Sequence, residues 1–226
     1  SLLNQSIVEI GQRRKRLVKT AAGLKLGDPE IFGWFNTYVT SRLLPSRLFL
    51  SIGGFSQPSF EANKTLIDEL RKIVTRLNAD RWLEIFAGNG NLTLPLASWG
   101  KKVTAFEIDY GAIEGLKKSA AETELTDKIE VVRGDAYRLN GLPPFENFDA
   151  LLVDPPRSGL KQIVDLLKVV PHEKKPRHIV YVSCFAESFA EDAKKLLDQG
   201  YQLKSLAGVD QFPQSPHCEW IGRFSL

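Results

Sequence analysis

Three stretches of this chain carry side chains able to do covalent and acid–base chemistry. Asp154-Pro155-Pro156-Arg157-Ser158-Gly159 sets a carboxylate directly before two prolines. The fixed φ of the rings stiffens the turn, so the acid is held in place. Cys184 follows the apolar run that ends in Val182-Ser183, and Glu219, after His217-Cys218, opens the last apolar stretch. A cysteine thiolate is a strong nucleophile, and a positioned carboxylate can accept a proton from a reacting centre. Each residue also has an ordinary reading: a buried cysteine is most often a small apolar side chain, and Glu219 can be an acid at a strand edge. Cys218 alternates with Glu219 along the strand and therefore points the other way, as a structural residue.

A second constellation suits a nucleoside. Leu83-Glu84-Ile85-Phe86-Ala87-Gly88-Asn89-Gly90-Asn91 reads as a strand entering a Gly-x-Gly turn before a helix. Gly88 and Gly90 let the backbone turn tightly and approach a ligand closely. The dinucleotide fingerprint has a third glycine where this chain has Thr93, which favours a nucleoside without a pyrophosphate. Glu107 stands 17 residues after Gly90, about where a ribose-binding carboxylate belongs; the alternative is a helix cap, a role that Asp109 can also fill. Asp135, after the next strand, is placed to accept from an adenine amino group.

These residues need a scaffold that brings them to one place. From Arg81 onward strands alternate with helices. The strands are read at Trp82–Phe86, Lys102–Glu107, Ile129–Arg133, Ala150–Val153 and His178–Ser183, with helices beginning near Leu92, Asp109, Leu160 and Glu187. This alternation predicts a mainly parallel sheet covered on both faces. Tyr201–Val209 and Glu219–Phe224 are joined too closely for a crossover helix and should pair antiparallel. The expected fold is therefore α/β: a doubly wound, mainly parallel seven-stranded sheet with a C-terminal antiparallel strand. Ligands bind beyond the carboxyl ends of such strands. An antiparallel last strand starts at that same edge, which carries Glu219 toward Cys184 and Asp154.

Upstream, Asp28-Pro29-Glu30 reads as a helix start, and Ile31, Phe35, Tyr38 and Val39 extend it to about Leu43. A short extended piece covers Arg47–Ile52. A second helix begins at Ser59, with Leu66, Leu70, Ile73, Val74 and Leu77 as its apolar stripe. Residues 1–50 are thus expected as a basic N-terminal extension, helical in part, and residues 51–226 as the catalytic domain. Residues 1–27 hold six basic residues and one acid, whereas the whole chain has a net charge of only +3. A basic arm on a nearly neutral domain suits a phosphate backbone, or is simply a solvated face.

Composition is that of a soluble globular protein, 43% hydrophobic and 25% charged. There is no apolar run of membrane-spanning length, and the start Ser1-Leu2-Leu3-Asn4-Gln5 lacks the basic-then-apolar layout of a secretory leader. Two cysteines exclude a disulfide scaffold or a four-cysteine metal site within this chain. The expectation is a cytoplasmic monomer without membrane attachment or metal. No methionine occurs, even at position 1, so the chain is expected to begin inside a longer polypeptide.

Taken together, Phe55-Ser56-Gln57, Leu83 through Pro95, Asp154-Pro155-Pro156-Arg157, Val180 through Cys184 and His217-Cys218-Glu219 resemble the catalytic region of the RNA uracil-5-methyltransferases that modify transfer and ribosomal RNA. The resemblance covers about Phe49 to Leu226. It implies a Rossmann-like class I methyltransferase fold, S-adenosyl-L-methionine as cofactor and RNA (tRNA or rRNA) as partner. By this resemblance Gln57, Phe86, Asn91, Glu107, Asp135 and Asp154 line the cofactor and base pocket, with the turn at Gly88 and Gly90. Cys184 matches the family nucleophile and Glu219 its general base. The chemistry agrees, because carbon 5 of uracil becomes nucleophilic only after a thiolate adds at carbon 6. The sequence departs from the family at three places: Phe185 stands where asparagine usually follows the cysteine, Ser59 where the Gln motif continues to asparagine, and Ala87 where cysteine is common. The family's N-terminal RNA-binding β-barrel and cluster-binding cysteines are not in this chain. Arg157, in place of a stacking aromatic residue, argues against amino-group methylation, and Ser183-Cys184, in place of Pro-Cys, against cytosine. The remaining alternatives are a methyltransferase with another target, or an RNA-binding protein of this fold with lost or altered activity.

Overall fold

The computed structural model describes residues 59–211 and 218–226, with Phe55, Gln57, the side chains of Leu48 and Phe49, and the backbone of five earlier strands. Those strands are β1 (Gln5–Ile10), β2 (Arg13–Thr20), β3 (Gly23–Leu26), β4 (Trp34–Ser41) and β5 (Leu44–Ser51). β1, β2 and β3 pair antiparallel in sequence order, and β4 pairs with β5 as a hairpin. The helix expected from Asp28 to about Leu43 is therefore corrected: residues 34–41 form a strand. The segment Trp34-Phe35-Asn36-Thr37-Tyr38-Val39-Thr40 is aromatic and β-branched, a composition that favours a pleated strand. Leu44–Ser51 supplies its antiparallel partner. Where it is described, the extension is built of strands. The supposed cap at Asp28 and Pro29 lies outside the described residues.

Helix α1 (Phe60–Val74) starts where Ser59 Oγ accepts the N–H of Ala62 at 3.2 Å. Serine is among the preferred N-cap residues, as is asparagine, so the Ser59 departure keeps the cap. Its buried face carries Leu66, Ile67, Leu70 and Val74.

The main sheet contains β6 (Arg81–Ile85), β7 (Lys102–Glu107), β8 (Ile129–Arg133), β9 (Ala150–Val153), β10 (His178–Ser183), β11 (Gln202–Val209) and β12 (Glu219–Ser225). Their spatial order is β11-β12-β10-β9-β6-β7-β8. Within this sheet the path starts at β6, winds outward to β8, then returns to lay β9 on the other side of β6, so the switch point lies between β6 and β9. β12 runs antiparallel between β10 and β11. Helices α2 (Thr93–Ser98), α3 (Tyr110–Glu122), α4 (Gln162–Val169) and α5 (Ala186–Asp198) connect the strands.

Alternation along β6 sets the two layers of the core. Trp82 joins Leu66, Leu70, Leu94 and Leu116 on one face. Leu83 and Ile85 join Ile163, Leu167, Phe189 and Leu196 on the other. Both faces are sealed, which is why the central strands read as nearly unbroken apolar runs. Truncating a fully buried side chain here, Leu83→Ala for instance, costs about 2–5 kcal/mol. The β5 strand docks on this body: Phe49 donates its N–H to Ser119 Oγ on α3 at 2.9 Å, and Leu48 is buried in the first layer.

Candidate active site

A cavity of about 690 Å3 opens beyond the carboxyl ends of β6, β7, β8, β9 and β10 and the amino end of β12. Its wall contains Gln57, Phe86, Gly88, Asn91, Glu107, Asp135, Asp154, Cys184 and Glu219. Nine of the expected site residues thus meet at one place. Gly90 is outside the wall. Its φ is +91°, and a Cβ there would lie 2.4 Å from Leu116 Cδ1, so this glycine lets α3 pack close to the turn. A second, more open groove of about 710 Å3 runs along β7 and β8 past Arg81, Lys102 and Lys128; none of the expected site residues lines it.

The end at the glycine turn, expected to hold a nucleoside, is organised by hydrogen bonds to the backbone. Phe86 takes φ +66°, a strained conformation for an aromatic residue, and the N–H groups of Phe86 and Ala87 both donate to Phe106 O. Gly88 follows at φ +55° and donates its N–H to Glu107 Oε2 at 2.8 Å. Glu107 Oε1 accepts from the N–H groups of Ile108 and Asp109 at 2.7 and 2.8 Å. The capping of α3 falls to Asp109, whose Oδ1 accepts from Ala112 N–H at 2.7 Å. Glu107 is therefore locked in the cavity wall, with Oε2 retaining lone-pair capacity for a ribose hydroxyl. Asp135 is more committed than the sequence implied: Oδ1 accepts from the N–H groups of Tyr137 and Arg138, and Oδ2 lies 3.4 Å from Arg138 Nε.

Other contacts hold the roof. Asn89 Nδ2 donates to Phe55 O at 3.0 Å, which ties the segment bearing Gln57 to the glycine turn. Asn91 and the buried Asn63 exchange hydrogen bonds, each side-chain amide donating to the oxygen of the other, at 2.8 and 2.9 Å. Asn63 was not anticipated, because its partner is 28 residues away. Glu84 was also missed, although a carboxylate inside an apolar parallel strand is itself a signal. It is 1% exposed, and its Oε2 has no hydrogen-bond partner among the described residues. Burial, reinforced by Asp154 and Glu107, pushes its pKa up to about 8; the nearby Thr93 hydroxyl opposes the shift without making a well-formed hydrogen bond.

At the end of the cavity that holds Cys184 and Glu219 the register is decisive. Ser183 pairs with Trp220 across β10 and β12, and the next position outward sets Cys184 opposite Glu219. Burial lifts the Glu219 carboxyl to about 7. Asp154 keeps some surface toward the cavity, yet protein crowds its other sides. Burial, with the charge of Glu219, lifts its carboxyl well above the ordinary carboxylate range. The Cys184 thiol is also raised, by burial first and then by Glu219 and Asp154, while the exposed Arg157 guanidinium opposes the shift. The free site therefore favours the thiol, and neutralising either carboxyl favours the thiolate. Phe185 exchanges hydrogen bonds with the Ser183 hydroxyl, donating through N at 3.2 Å and accepting through O at 3.1 Å. Its half-buried ring is not part of the cavity wall. Cys218 packs against Gly208 on β11 rather than lining the cavity. His217 and the rest of the loop at 212–217 lie outside the described residues.

The chain is similar to known proteins along most of its length. It is 38% identical over 227 residues to an uncharacterized RNA methyltransferase of Bdellovibrio bacteriovorus, covering 98% of this chain and 58% of that protein. It is 34% identical over 181 residues to the 23S rRNA (uracil(1939)-C(5))-methyltransferase RlmD of Shewanella halifaxensis, covering 80% of this chain and 40% of that protein. Among solved structures, the Pyrococcus abyssi tRNA (uracil-54, C5)-methyltransferase in complex with S-adenosyl-L-homocysteine superposes with a TM-score of 0.71 at 26% identity, over 91% of this chain and 48% of that one. The chain thus spans about half the length of these relatives. Residues 49–222, which carry the cavity wall from Phe55 to Glu219, match the model of the tRNA (Uracil-5-)-methyltransferase family, and the chain belongs to that family.

Proposed function

We propose that this chain methylates carbon 5 of a uracil in RNA, with S-adenosyl-L-methionine as methyl donor, Cys184 as nucleophile and Glu219 as general base. The observation that carries this reading is the placement of Cys184 opposite Glu219 in one cavity wall that also holds the glycine turn and Glu107. The cavity residues fit an adenosine. Phe86 supplies an aromatic face, Glu107 Oε2 an acceptor for ribose, and Asp135 Oδ2 an acceptor shared with Arg138. When bound, S-adenosylmethionine supplies an electrophilic methyl group.

The protein's part begins with positioning. The uracil leaves its stack to enter the cavity, where Gln57 and Asp154 can read its polar edge and Arg157 at the mouth can hold phosphate. A protonated Asp154 is a donor for a carbonyl oxygen, and its raised carboxyl suits that role. The Cys184 thiol gives its proton to solvent, the thiolate forms a bond to carbon 6, and the carbon 5–carbon 6 π pair moves into an enolate on the carbonyl side. Carbon 5 would then take the methyl group, with S-adenosylhomocysteine as the leaving group. The Glu219 carboxylate accepts the carbon 5 proton, the ring double bond re-forms, and the carbon–sulfur bond breaks to return the thiolate. A base whose pKa lies near the working pH is well matched to proton removal.

RNA containing 5-fluorouracil tests this directly, because fluorine at carbon 5 cannot leave as a proton. Wild type with S-adenosylmethionine should form an adduct that survives denaturation, and Cys184→Ala should form none. RNA binding without an adduct or methylated product would support instead a protein of this fold that has lost activity.

A further inference from the structure

We propose that Tyr137 is a positioning residue that couples occupancy of the nucleoside end of the cavity to the placement of Arg157 at the base end. This inference rests on the two-substrate reading of the cavity given above. Tyr137 follows Asp135 by two residues, and its N–H donates to Asp135 Oδ1 at 3.0 Å. The turn is closed by mutual backbone hydrogen bonds between Asp135 and Asn140, so the Asp135 carboxylate and the Tyr137 backbone move as one unit. The Tyr137 ring lies against Phe86, with centroids 5.2 Å apart, and Phe86 is the residue held at φ +66° where β6 enters the glycine turn. Both of these contacts belong to the nucleoside side.

The hydroxyl reaches the other side. Tyr137 Oη donates to Gly159 O at 3.0 Å and accepts from, or donates to, Ser158 Oγ at 3.0 Å. Ser158 and Gly159 directly follow Arg157. A phenol has one proton and spare lone pairs, so accepting from Ser158 while donating to Gly159 satisfies both contacts. Lys161 Nζ stands 4.4 Å from the centroid of the same ring, which holds the tyrosine in place from the loop's side. The far end of the loop has its own anchor: Asp192 Oδ2 accepts from Leu160 N–H at 2.7 Å and from Tyr181 Oη at 2.8 Å. Gly159, at φ +73°, fits there only because it lacks a Cβ, which would come 2.5 Å from Asp192 Oδ2. Asp192 thus fixes the loop to β10, the strand that ends at Ser183 just before Cys184, and Tyr137 fixes it to the nucleoside loop. A ligand that orders Asp135 and Phe86 therefore also orders Ser158 and Gly159, and through them Arg157.

Such coupling is reciprocal and is usually about 5- to 150-fold. The test uses the full chain, a fluorescently labelled uridine-containing RNA hairpin, and S-adenosylhomocysteine, which has no methyl group to transfer. RNA affinity is measured with and without saturating S-adenosylhomocysteine, and S-adenosylhomocysteine affinity with and without RNA. Wild type should show the same enhancement in both directions. Tyr137→Phe keeps the ring on Phe86 and deletes the hydroxyl, so its enhancement should collapse toward one whatever happens to either affinity alone. Ser158→Ala, which deletes one of the two hydroxyl partners, should fall between. Full coupling in Tyr137→Phe, or none in wild type, overturns the proposal. Failure of wild type to bind either ligand alone overturns the reading of the cavity, and the proposal with it.

Discussion

Glu107 and Gly88 are joined by a 2.8 Å hydrogen bond from the glycine N–H to the carboxylate, across the ends of β6 and β7. One side chain therefore both shapes the glycine turn and faces the cavity. Glu107→Ala removes the acceptor for three N–H groups, those of Gly88, Ile108 and Asp109. The variant should lose on the order of 2–3 kcal/mol of stability, because hydrogen bonds to charged groups contribute about 1.5–3 kcal/mol and do not add fully. It should also bind S-adenosylhomocysteine at least about tenfold more weakly, the equivalent of about 1.4 kcal/mol. Calorimetry at a temperature where both proteins are folded separates the two effects. Wild-type affinity in Glu107→Ala would remove this residue from the ribose site.

Glu84 should make stability fall as pH rises. Its carboxyl keeps its proton in the folded protein up to about 8, whereas the unfolded chain releases it near 4.5. Between those values the folded state binds more protons than the unfolded state, so raising the pH destabilises the fold. The full effect is on the order of a few kcal/mol. Glu84→Gln replaces the buried acid with a neutral side chain of the same shape. In urea unfolding at pH 5.5, 7 and 8.5, the stability of this variant relative to wild type should climb with pH. A constant difference across the three would show that Glu84 does not titrate in this window.

The basic run Arg13-Arg14-Lys15-Arg16 lies on β2, a strand rather than a loose arm. If it meets phosphate, replacing these four residues with Gln should flatten the dependence of RNA affinity on salt, by about 0.7–0.9 in slope for each phosphate that is no longer neutralised. An unchanged slope of log affinity against log salt assigns the run to a solvated face.

What could be read ahead of the structure follows from how local each signal is. Strands β7 to β10 fall on the residues anticipated because apolar, β-branched runs bounded by turns leave little choice in a parallel sheet. Glu219 was placed beside Cys184 by topology alone, since an antiparallel last strand must begin where the parallel strands end. The Asn63–Asn91, Tyr137–Ser158 and Asp192–Leu160 contacts join residues 21 to 32 positions apart. No spacing rule reaches that far. The misreading of β4 has the same origin: Ile31, Phe35, Tyr38 and Val39 satisfy a helical spacing, while their neighbours Thr37 and Thr40 suit a strand, and the pairing with β5 decides between them.

The division of labour between Cys184 and Glu219 gives the sharpest prediction. In the proposed mechanism the thiolate acts before methyl transfer and the carboxylate after it, so the two variants should stop at different points. Cys184→Ala should abolish both methylated product and covalent RNA adduct. Glu219→Gln still permits addition and methyl transfer but has no base for the carbon 5 proton, so methylated RNA should stay attached through Cys184. A denaturing gel with labelled RNA and S-adenosylmethionine reads this out: a slow band present only where Cys184 is present, and strongest in Glu219→Gln. The pH profile supplies an independent check. Glu219, lifted to about 7 by burial, is an effective base only once it has lost its proton, so wild-type turnover should rise through about pH 7. Product from Cys184→Ala would rule out the covalent route. Normal turnover by Glu219→Gln would pass the proton to another group, and His217, outside the described residues, would be the next to replace.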